Sequence, residues 1–200
     1  MPNLSVIQEA LDRAVTDGVF PGAVLAVRCG NRPTSRFHAG HLSTVPPGSF
    51  VSPSTIYDLA SLTKPLATVT TLVLLMQKGH CRLDDCVADH LSECADTFIG
   101  SATIRHLLTH SSGLPGWRGF YEQLRPDGAI PSSAGGREQA KRAMLRLIRS
   151  ETQVYERGTR SLYSDLGFML LGFIIERVSG QSLSEYFLDH IVSPLGEPQI

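Results

Sequence analysis

The sequence predicts two short antiparallel strands near the N-terminus, followed by a long series of helices. Residues 23–27 form a short apolar run before the turn at Gly30-Asn31, and from residue 61 onward apolar residues mostly recur with helical spacing. Because an isolated two-stranded hairpin is only marginally stable in water, two alternatives follow. The fold is either nearly all helical, or α+β with the strands that complete the sheet outside this chain.

The N-terminal part, residues 1–56, is predicted to contain one helix and both strands. Ser5 and Gln8 have capping-box spacing at the start of an amphipathic helix, and Gly18 is placed to end that helix. The two strands and the loop rich in Pro, Ser and Gly that follows them are predicted at residues 23–27, 34–39 and 44–53.

Residues 57–200 are predicted to form a mainly helical lobe. The first of its helices is apolar on nearly all sides, so we expect it in the middle of the molecule. Gly180 and Pro194 are placed to end the last two helices, and residues 118–135 are predicted to form a loop. The predicted helices span residues 66–78, 104–109, 137–149, 165–178 and 183–192.

Length and composition narrow the classes of protein. A chain of 200 residues predicts a single domain over 1–200, and 18 basic against 19 acidic residues give a net charge of −1. This balance predicts no nucleic-acid partner and no attachment to an anionic membrane. The longest apolar run, residues 66–76, is shorter than the roughly 20 residues of a membrane span. The N-terminus lacks a secretory signal pattern, so we expect a cytoplasmic protein.

Metal and cofactor motifs are not evident in the sequence. His106 and His110 are four residues apart, but neither an H-E-x-x-H glutamate nor an obvious third ligand accompanies them, so no metal and no organic cofactor are expected. A nucleophile elbow, G-x-S-x-G, is also absent from the sequence. The cysteines form no C-x-x-C pair and are expected to be free thiols: Cys29, Cys81, Cys86 and Cys94.

The tetrapeptide Ser61-Leu62-Thr63-Lys64 is the first candidate catalytic motif. Serine and lysine three positions apart lie on one face of a helix, and a serine at a helix N-terminus benefits from the helix dipole. A neutral lysine amine could remove the hydroxyl proton, and burial beside an apolar helix is expected to lower the pKa of Lys64. The alternative for the isolated motif is a capping serine beside a solvated lysine.

The tripeptide Tyr163-Ser164-Asp165 is the second candidate motif and precedes an apolar helix. The Tyr163 phenol could transfer a proton between the nucleophile and a leaving group. In the alternative interpretation, Ser164 or Asp165 caps the helix and Tyr163 packs against the core.

Taken together, these residues resemble the serine β-lactamase and penicillin-binding-protein superfamily, in particular its class C β-lactamase-like and esterase-like branch. The resemblance extends from about residue 20 to residue 196. The stretches that carry it are DLASLTK (58–64), QKGHCRLDD (77–85), TIRHLLTHSSGLP (103–115), GTRSLYSDLGFMLLGFIIERVSGQSL (158–183) and SPLG (193–196). It implies an α+β fold of the β-lactamase/transpeptidase type, with a helical lobe and part of an antiparallel sheet.

The resemblance also implies roles for individual residues. Ser61 is the acylated nucleophile and its N–H one oxyanion donor, Lys64 assists deprotonation, and Tyr163 is the partner base or acid. Asp165 stands where many members have Asn and is assigned to substrate binding. Members also carry a K-T-G-like or H-x-G-like triplet after the P-L-G stretch, and no such triplet follows Gly196. We therefore expect a chain that is incomplete at its C-terminus.

The resemblance predicts a serine hydrolase that acylates Ser61 with a small ester or amide substrate and then hydrolyses the acyl-enzyme. The alternative is a truncated, non-catalytic remnant or binding module of the same fold. The sequence does not distinguish ester, β-lactam and D-alanyl peptide substrates, and it leaves the oligomeric state open.

Overall fold

The structure is a computed structural model that describes residues 5–45, 48–124 and 133–196. The chain divides into two compact units, Met1–Asp58 and Leu59–Ile200. A single domain over residues 1–200 therefore stays a prediction.

The first unit contains a helix, α1, and a two-stranded antiparallel sheet. Strand β1 pairs with β2 in a register that runs from Gly22 opposite Gly40 to Val27 opposite Ser35. Helix α1 packs on β2. The helix and both strands are confirmed where the sequence predicts them: α1 is Ser5–Thr16, β1 is Gly22–Val27 and β2 is Ser35–Gly40. In the described ranges, these two strands make up the whole sheet.

The second unit is helical, as predicted. Its α-helices are α2 (Thr70–Gln77), α3 (Val87–His90), α4 (Ile104–Leu108), α5 (Phe120–Leu124), α6 (Ala134–Arg149), α7 (Asp165–Ser179), α8 (Leu183–Phe187) and α9 (Ser193–Leu195). Two 3₁₀ turns and two π-helical segments lie between them, at Ala60–Leu62, Ser92–Cys94, Lys64–Val69 and Leu188–Val192.

Helix α7 forms the centre of the hydrophobic core in this unit. It packs against α2, α3 and α4, and its inward side chains are at most 1% exposed: Leu166, Leu170, Leu171, Ile174 and Ile175. Full burial of a leucine or isoleucine contributes about 1.5–3 kcal/mol. The helix ends at Gly180, whose positive φ of 71° suits glycine. This packing fixes the position of the residues that precede α7.

Three expectations about the helical lobe are wrong in part. The predicted helix 66–78 packs through one face only, so Leu66 and Val73 on its other face are 45% and 48% exposed. Pro194 does not end the last helix, because it lies in the first turn of α9, where a missing N–H costs little. The predicted loop 118–135 contains α5 and the start of α6, and its residues 125–132 lie outside the described part.

Within the described residues, no single helix is both long and apolar enough to cross a membrane. The consecutive helical stretches Asp165–Ser179 and Leu183–Leu195 are together long and apolar enough for a span by length and composition only, and a bend of 73° separates them.

Candidate active site

Ser61 lies at the start of the helical lobe, in the 3₁₀ turn Ala60–Leu62, and is exposed to solvent. The preceding residue, Ala60, has a φ of +45°. A left-handed backbone is unfavourable for a residue with a Cβ and costs about 1–2 kcal/mol. The chain therefore makes a strained turn directly before the predicted nucleophile, a kind of strain that clusters at functional sites.

Lys64 points toward Ser61, as the three-residue spacing predicts. Its Nζ lies 3.1 Å from the Ser61 hydroxyl oxygen and 2.6 Å from Oδ1 of Asp165. Its side chain is 15% exposed. Pro65 is tolerated because it occupies the first turn of the segment Lys64–Val69. The solvated lysine of the alternative interpretation is not what the structure shows.

Tyr163 lies next to Lys64, directly before α7. Nζ of Lys64 is 4.9 Å from the centroid of the phenol ring. Tyr163 is 52% exposed, so the alternative that it packs against the core is wrong. The other half of that alternative is right for Ser164, which caps α7 by accepting a hydrogen bond from the Gly167 N–H at 3.2 Å.

Asp165 occupies the first turn of α7, and its backbone N–H donates to the Gly116 carbonyl at 2.8 Å. Its carboxylate forms an ion pair with Lys64, and its assignment to substrate binding from the resemblance stays a prediction. The aspartate is therefore part of the charge balance at the nucleophile. The structure thus brings together all four predicted site residues: Ser61, Lys64, Tyr163 and Asp165.

His110 belongs to the same cluster, although its spacing from His106 suggested only one half of a possible metal pair. Its backbone is left-handed, with φ +56°, and its Nδ1 accepts a hydrogen bond from the Ser164 N–H at 3.0 Å. Its ring lies against Tyr163 and Phe168, with centroids 4.6 Å and 5.0 Å away. Its place in the block TIRHLLTHSSGLP was the available signal. His106 instead bonds to Thr103 at the start of α4.

The charge state of Lys64 differs from the sequence-based expectation. Burial lowers the pKa of Lys64, but its interactions with Asp165 and Tyr163 outweigh this effect and hold the pKa above its ordinary value. The expectation that Lys64 becomes a neutral amine is therefore wrong. The physical reason is that an adjacent carboxylate favours the charged ammonium.

Tyr163 shows the complementary effect. The Lys64 ammonium first, and the Ser61 hydroxyl second, lower the pKa of the Tyr163 phenol below its ordinary value. Since both partners hydrogen-bond the phenolate form, they favour loss of its proton. The arrangement therefore favours a phenolate beside a fixed ammonium, with a serine hydroxyl within reach.

Potential metal ligands do not converge anywhere in residues 5–45, 48–124 and 133–196: no group of three His, Cys, Asp or Glu side chains is placed to hold an ion. The four cysteines are free thiols, as predicted.

Comparison with known protein families gives a match that covers most of the chain. The family model described as Beta-lactamase matches residues 7–198. The chain belongs to the Beta-lactamase family. A protein of Escherichia coli O157:H7, provisionally named as a D-alanyl-D-alanine carboxypeptidase, is 38% identical over 148 residues, which is 71% of this chain and 32% of that protein.

Solved structures show that this member of the Beta-lactamase family has the expected α+β fold. The octameric penicillin-binding protein homologue from Pyrococcus abyssi superimposes with a TM-score of 0.75 at 27% identity, over 97% of this chain and 43% of its own. A D-stereospecific amidohydrolase from Streptomyces gives 0.74 at 28% identity, over 98% and 55%. The chain thus spans about a third to a half of the length of these Beta-lactamase relatives.

Proposed function

We propose that this chain carries the nucleophilic site of a serine hydrolase, in which Ser61 is acylated by a small ester or amide and the acyl-enzyme is then hydrolysed. The observation that carries the proposal is the 3.1 Å approach of Lys64 Nζ to the Ser61 hydroxyl oxygen, beside Tyr163. A serine becomes a useful nucleophile only when an adjacent group accepts its proton, and the Tyr163 phenol, which hydrogen-bonds the Ser61 hydroxyl, is the acceptor proposed here.

Tyr163, as phenolate, accepts that proton in the proposed reaction. The Ser61 oxygen forms a bond to the substrate carbonyl carbon while its proton passes to the Tyr163 oxygen. The tetrahedral intermediate then collapses, the carbonyl–leaving-group bond breaks, and Tyr163 returns the proton to the leaving group. Lys64 stays an ammonium throughout and stabilises the negative charge on the phenolate.

Deacylation uses the same groups in reverse. Tyr163, again as phenolate, takes a proton from water, whose oxygen attacks the acyl carbon, and the Ser61 oxygen leaves and recovers a proton from Tyr163. The Ser61 N–H is proposed as one donor to the oxyanion, and the reaction needs neither a metal nor an organic cofactor. Names of relatives, such as the D-stereospecific amidohydrolase, favour an amide among the proposed substrates.

An active-site label tests the proposal. The purified chain is incubated with a fluorophosphonate, which reacts with activated serines, and the adduct is measured by intact mass and located by peptide mapping. We expect one adduct on Ser61, and its loss in Ser61→Ala. Ser92→Ala is the matched control, because Ser92 is also exposed and lies in a 3₁₀ turn.

A circular dichroism melt accompanies the labelling, so that only folded protein is compared. A folded chain that takes no label, or takes it equally in Ser61→Ala, would overturn the proposal and favour the non-catalytic binding module.

A further inference from the structure

Asp165 places a full negative charge within two hydrogen bonds of the nucleophile. Its Oδ1 lies 2.6 Å from Lys64 Nζ, which in turn lies 3.1 Å from the Ser61 hydroxyl oxygen. The side chain is 31% exposed, and among the described residues Lys64 is the hydrogen-bond partner of its carboxylate. Among the described contacts, the second oxygen of this partly exposed carboxylate therefore keeps acceptor capacity for a substrate.

The charges of Lys64 and Asp165 cancel as a result, and the Tyr163 phenolate of the proposed reaction makes the site negative. Lys64 and Asp165 are the charged groups whose Coulomb interactions shift the pKa of Tyr163, and the same two groups shift the pKa of His110. An ammonium beside a neutral serine would attract an anionic substrate. Because Asp165 is paired with Lys64, the pair has no net charge to attract a substrate carboxylate. The second oxygen of Asp165 repels such a carboxylate.

We propose that Asp165 makes this site select against acyl groups that carry a carboxylate near the scissile carbonyl, and select for acyl groups that carry a cation there. This inference rests on the proposed acylation of Ser61 and specifies the substrate charge for that step. Asn at the same position would keep the shape and an acceptor for Lys64 but would leave only the Tyr163 phenolate to balance the ammonium. The substitution therefore removes one negative charge from the site.

The effect has an expected size. Two unit charges about 4 Å apart in water interact by about 1 kcal/mol, which corresponds to about fivefold in rate, and partial burial increases this. Since the Lys64 and Asp165 side chains are partly exposed, the effect should weaken with added salt.

The experiment uses three nitrophenyl esters whose acyl chains have similar length and end in a methyl, a carboxylate or a quaternary ammonium group: the pentanoate, the hemiglutarate and the 4-(trimethylammonio)butyrate. Nitrophenol release, corrected for spontaneous hydrolysis, and intact mass give the acylation rate of Ser61 for each. We expect the order cationic, neutral, anionic in the native chain. In Asp165→Asn, the ratio of anionic to neutral rate should rise at least fivefold, and 1 M NaCl should reduce the contrast in the native chain.

Ratios between substrates are compared because Asp165→Asn also alters Lys64 and with it the rate for every ester. Asp84→Asn changes the net charge of the chain equally, at an exposed ion pair with Arg105, and should leave the ratios unchanged. Asp165→Ser is the second variant if Asp165→Asn does not fold. Unchanged ratios in a variant that is still acylated would overturn this inference alone. No acylation of the folded native chain by any ester would overturn the proposed function and this inference together.

Discussion

The imidazole ring of His110 packs against the phenol ring of Tyr163, with their centroids 4.6 Å apart and their planes inclined by 37°. The same imidazole accepts the Ser164 N–H through Nδ1, which places its own proton on Nε2. Burial and then the nearby Lys64 charge lower the pKa of His110, so the ring is neutral at neutral pH and keeps this acceptor. The His110 side chain thus packs against the Tyr163 phenol and also bonds to the backbone of Ser164.

We predict that His110→Ala slows the acylation of Ser61 about tenfold, because the Tyr163 ring loses its support and small displacements of catalytic groups are costly. The rate of fluorophosphonate labelling measures this. The ultraviolet titration of the Tyr163 phenol should also move, which a purely structural defect elsewhere would not cause. His80→Ala is the control, since His80 is exposed. An unchanged labelling rate in His110→Ala would contradict the assignment of His110 as a positioning residue.

Lys64→Met is expected to slow acylation by about 10²–10⁴, the usual contribution of a proton-transfer system. Without the ammonium, the phenolate form of Tyr163 loses its main stabilising partner, so its pKa rises. The labelling rate against pH should show both effects: a lower maximum and an ascending limb displaced to higher pH. Lys141→Met is matched to it, because Lys141 also pairs with a carboxylate, Glu176, at 2.7 Å. Equal effects of the two substitutions would contradict a specific role for Lys64.

The acylation rate of the native chain is predicted to rise and then fall as the pH increases. Acylation needs the Tyr163 phenolate and the Lys64 ammonium together. It should therefore rise as pH rises through the Tyr163 pKa, which lies below its ordinary value, and fall only above the raised pKa of Lys64.

Asp165→Asn removes a carboxylate that raises the pKa of both groups, so both limbs should shift to lower pH. Labelling rates measured across the pH range at constant ionic strength check this. Limbs that stay in place in Asp165→Asn would show that the carboxylate does not control the protonation of the site.

Spacing and periodicity were sufficient to predict much of this architecture. Helix α7 could be predicted because its apolar residues, its cap and Gly180 all lie within the helix or next to it. The approach of Lys64 to Ser61 is equally local, since the two residues are three positions apart along one helical segment. These features depend on contacts between neighbours in the chain.

The charge state of Lys64 could not be predicted from spacing, because it depends on Asp165, which is 101 positions away in the chain. The support that His110 gives to Tyr163 is non-local for the same reason. The left-handed conformation of Ala60 is a third case. Alanine carries no local preference for positive φ, so only the folded surroundings impose it.

Ser164 is predicted to be important for stability as well as for the site. Ser164 is 1% exposed, and its hydroxyl caps α7 and donates to the Pro115 carbonyl at 2.8 Å. Ser164→Ala loses the cap and leaves a buried carbonyl without its donor, so the free energy of unfolding should fall by about 2–3 kcal/mol. Thermal and denaturant unfolding measure it. Ser182→Ala removes the cap of α8, whose hydrogen bond is exposed, and should cost only about 1 kcal/mol. Equal losses of stability in the two variants would contradict the importance of the burial of Ser164.

The strained turn at Ala60 predicts a substitution that raises the stability of the protein and lowers the reactivity of Ser61. Ala60→Gly removes the Cβ that makes φ +45° unfavourable, which should add about 1 kcal/mol to the free energy of unfolding after the greater flexibility of glycine in the unfolded chain is deducted. The same flexibility loosens the turn that presents Ser61, so the labelling rate should fall severalfold.

Gly79→Ala is the converse control for this prediction. Gly79 has φ +77° with open space around it, so the substitution should destabilise the protein through backbone strain alone and leave labelling unchanged. Chemical denaturation gives the stability of both variants, and fluorophosphonate labelling of Ser61 gives their reactivity. A more stable Ala60→Gly that reacts as fast as the native chain would show that the strain does not position the nucleophile. A less stable one would show that the alanine methyl group makes favourable contacts that exceed the backbone strain.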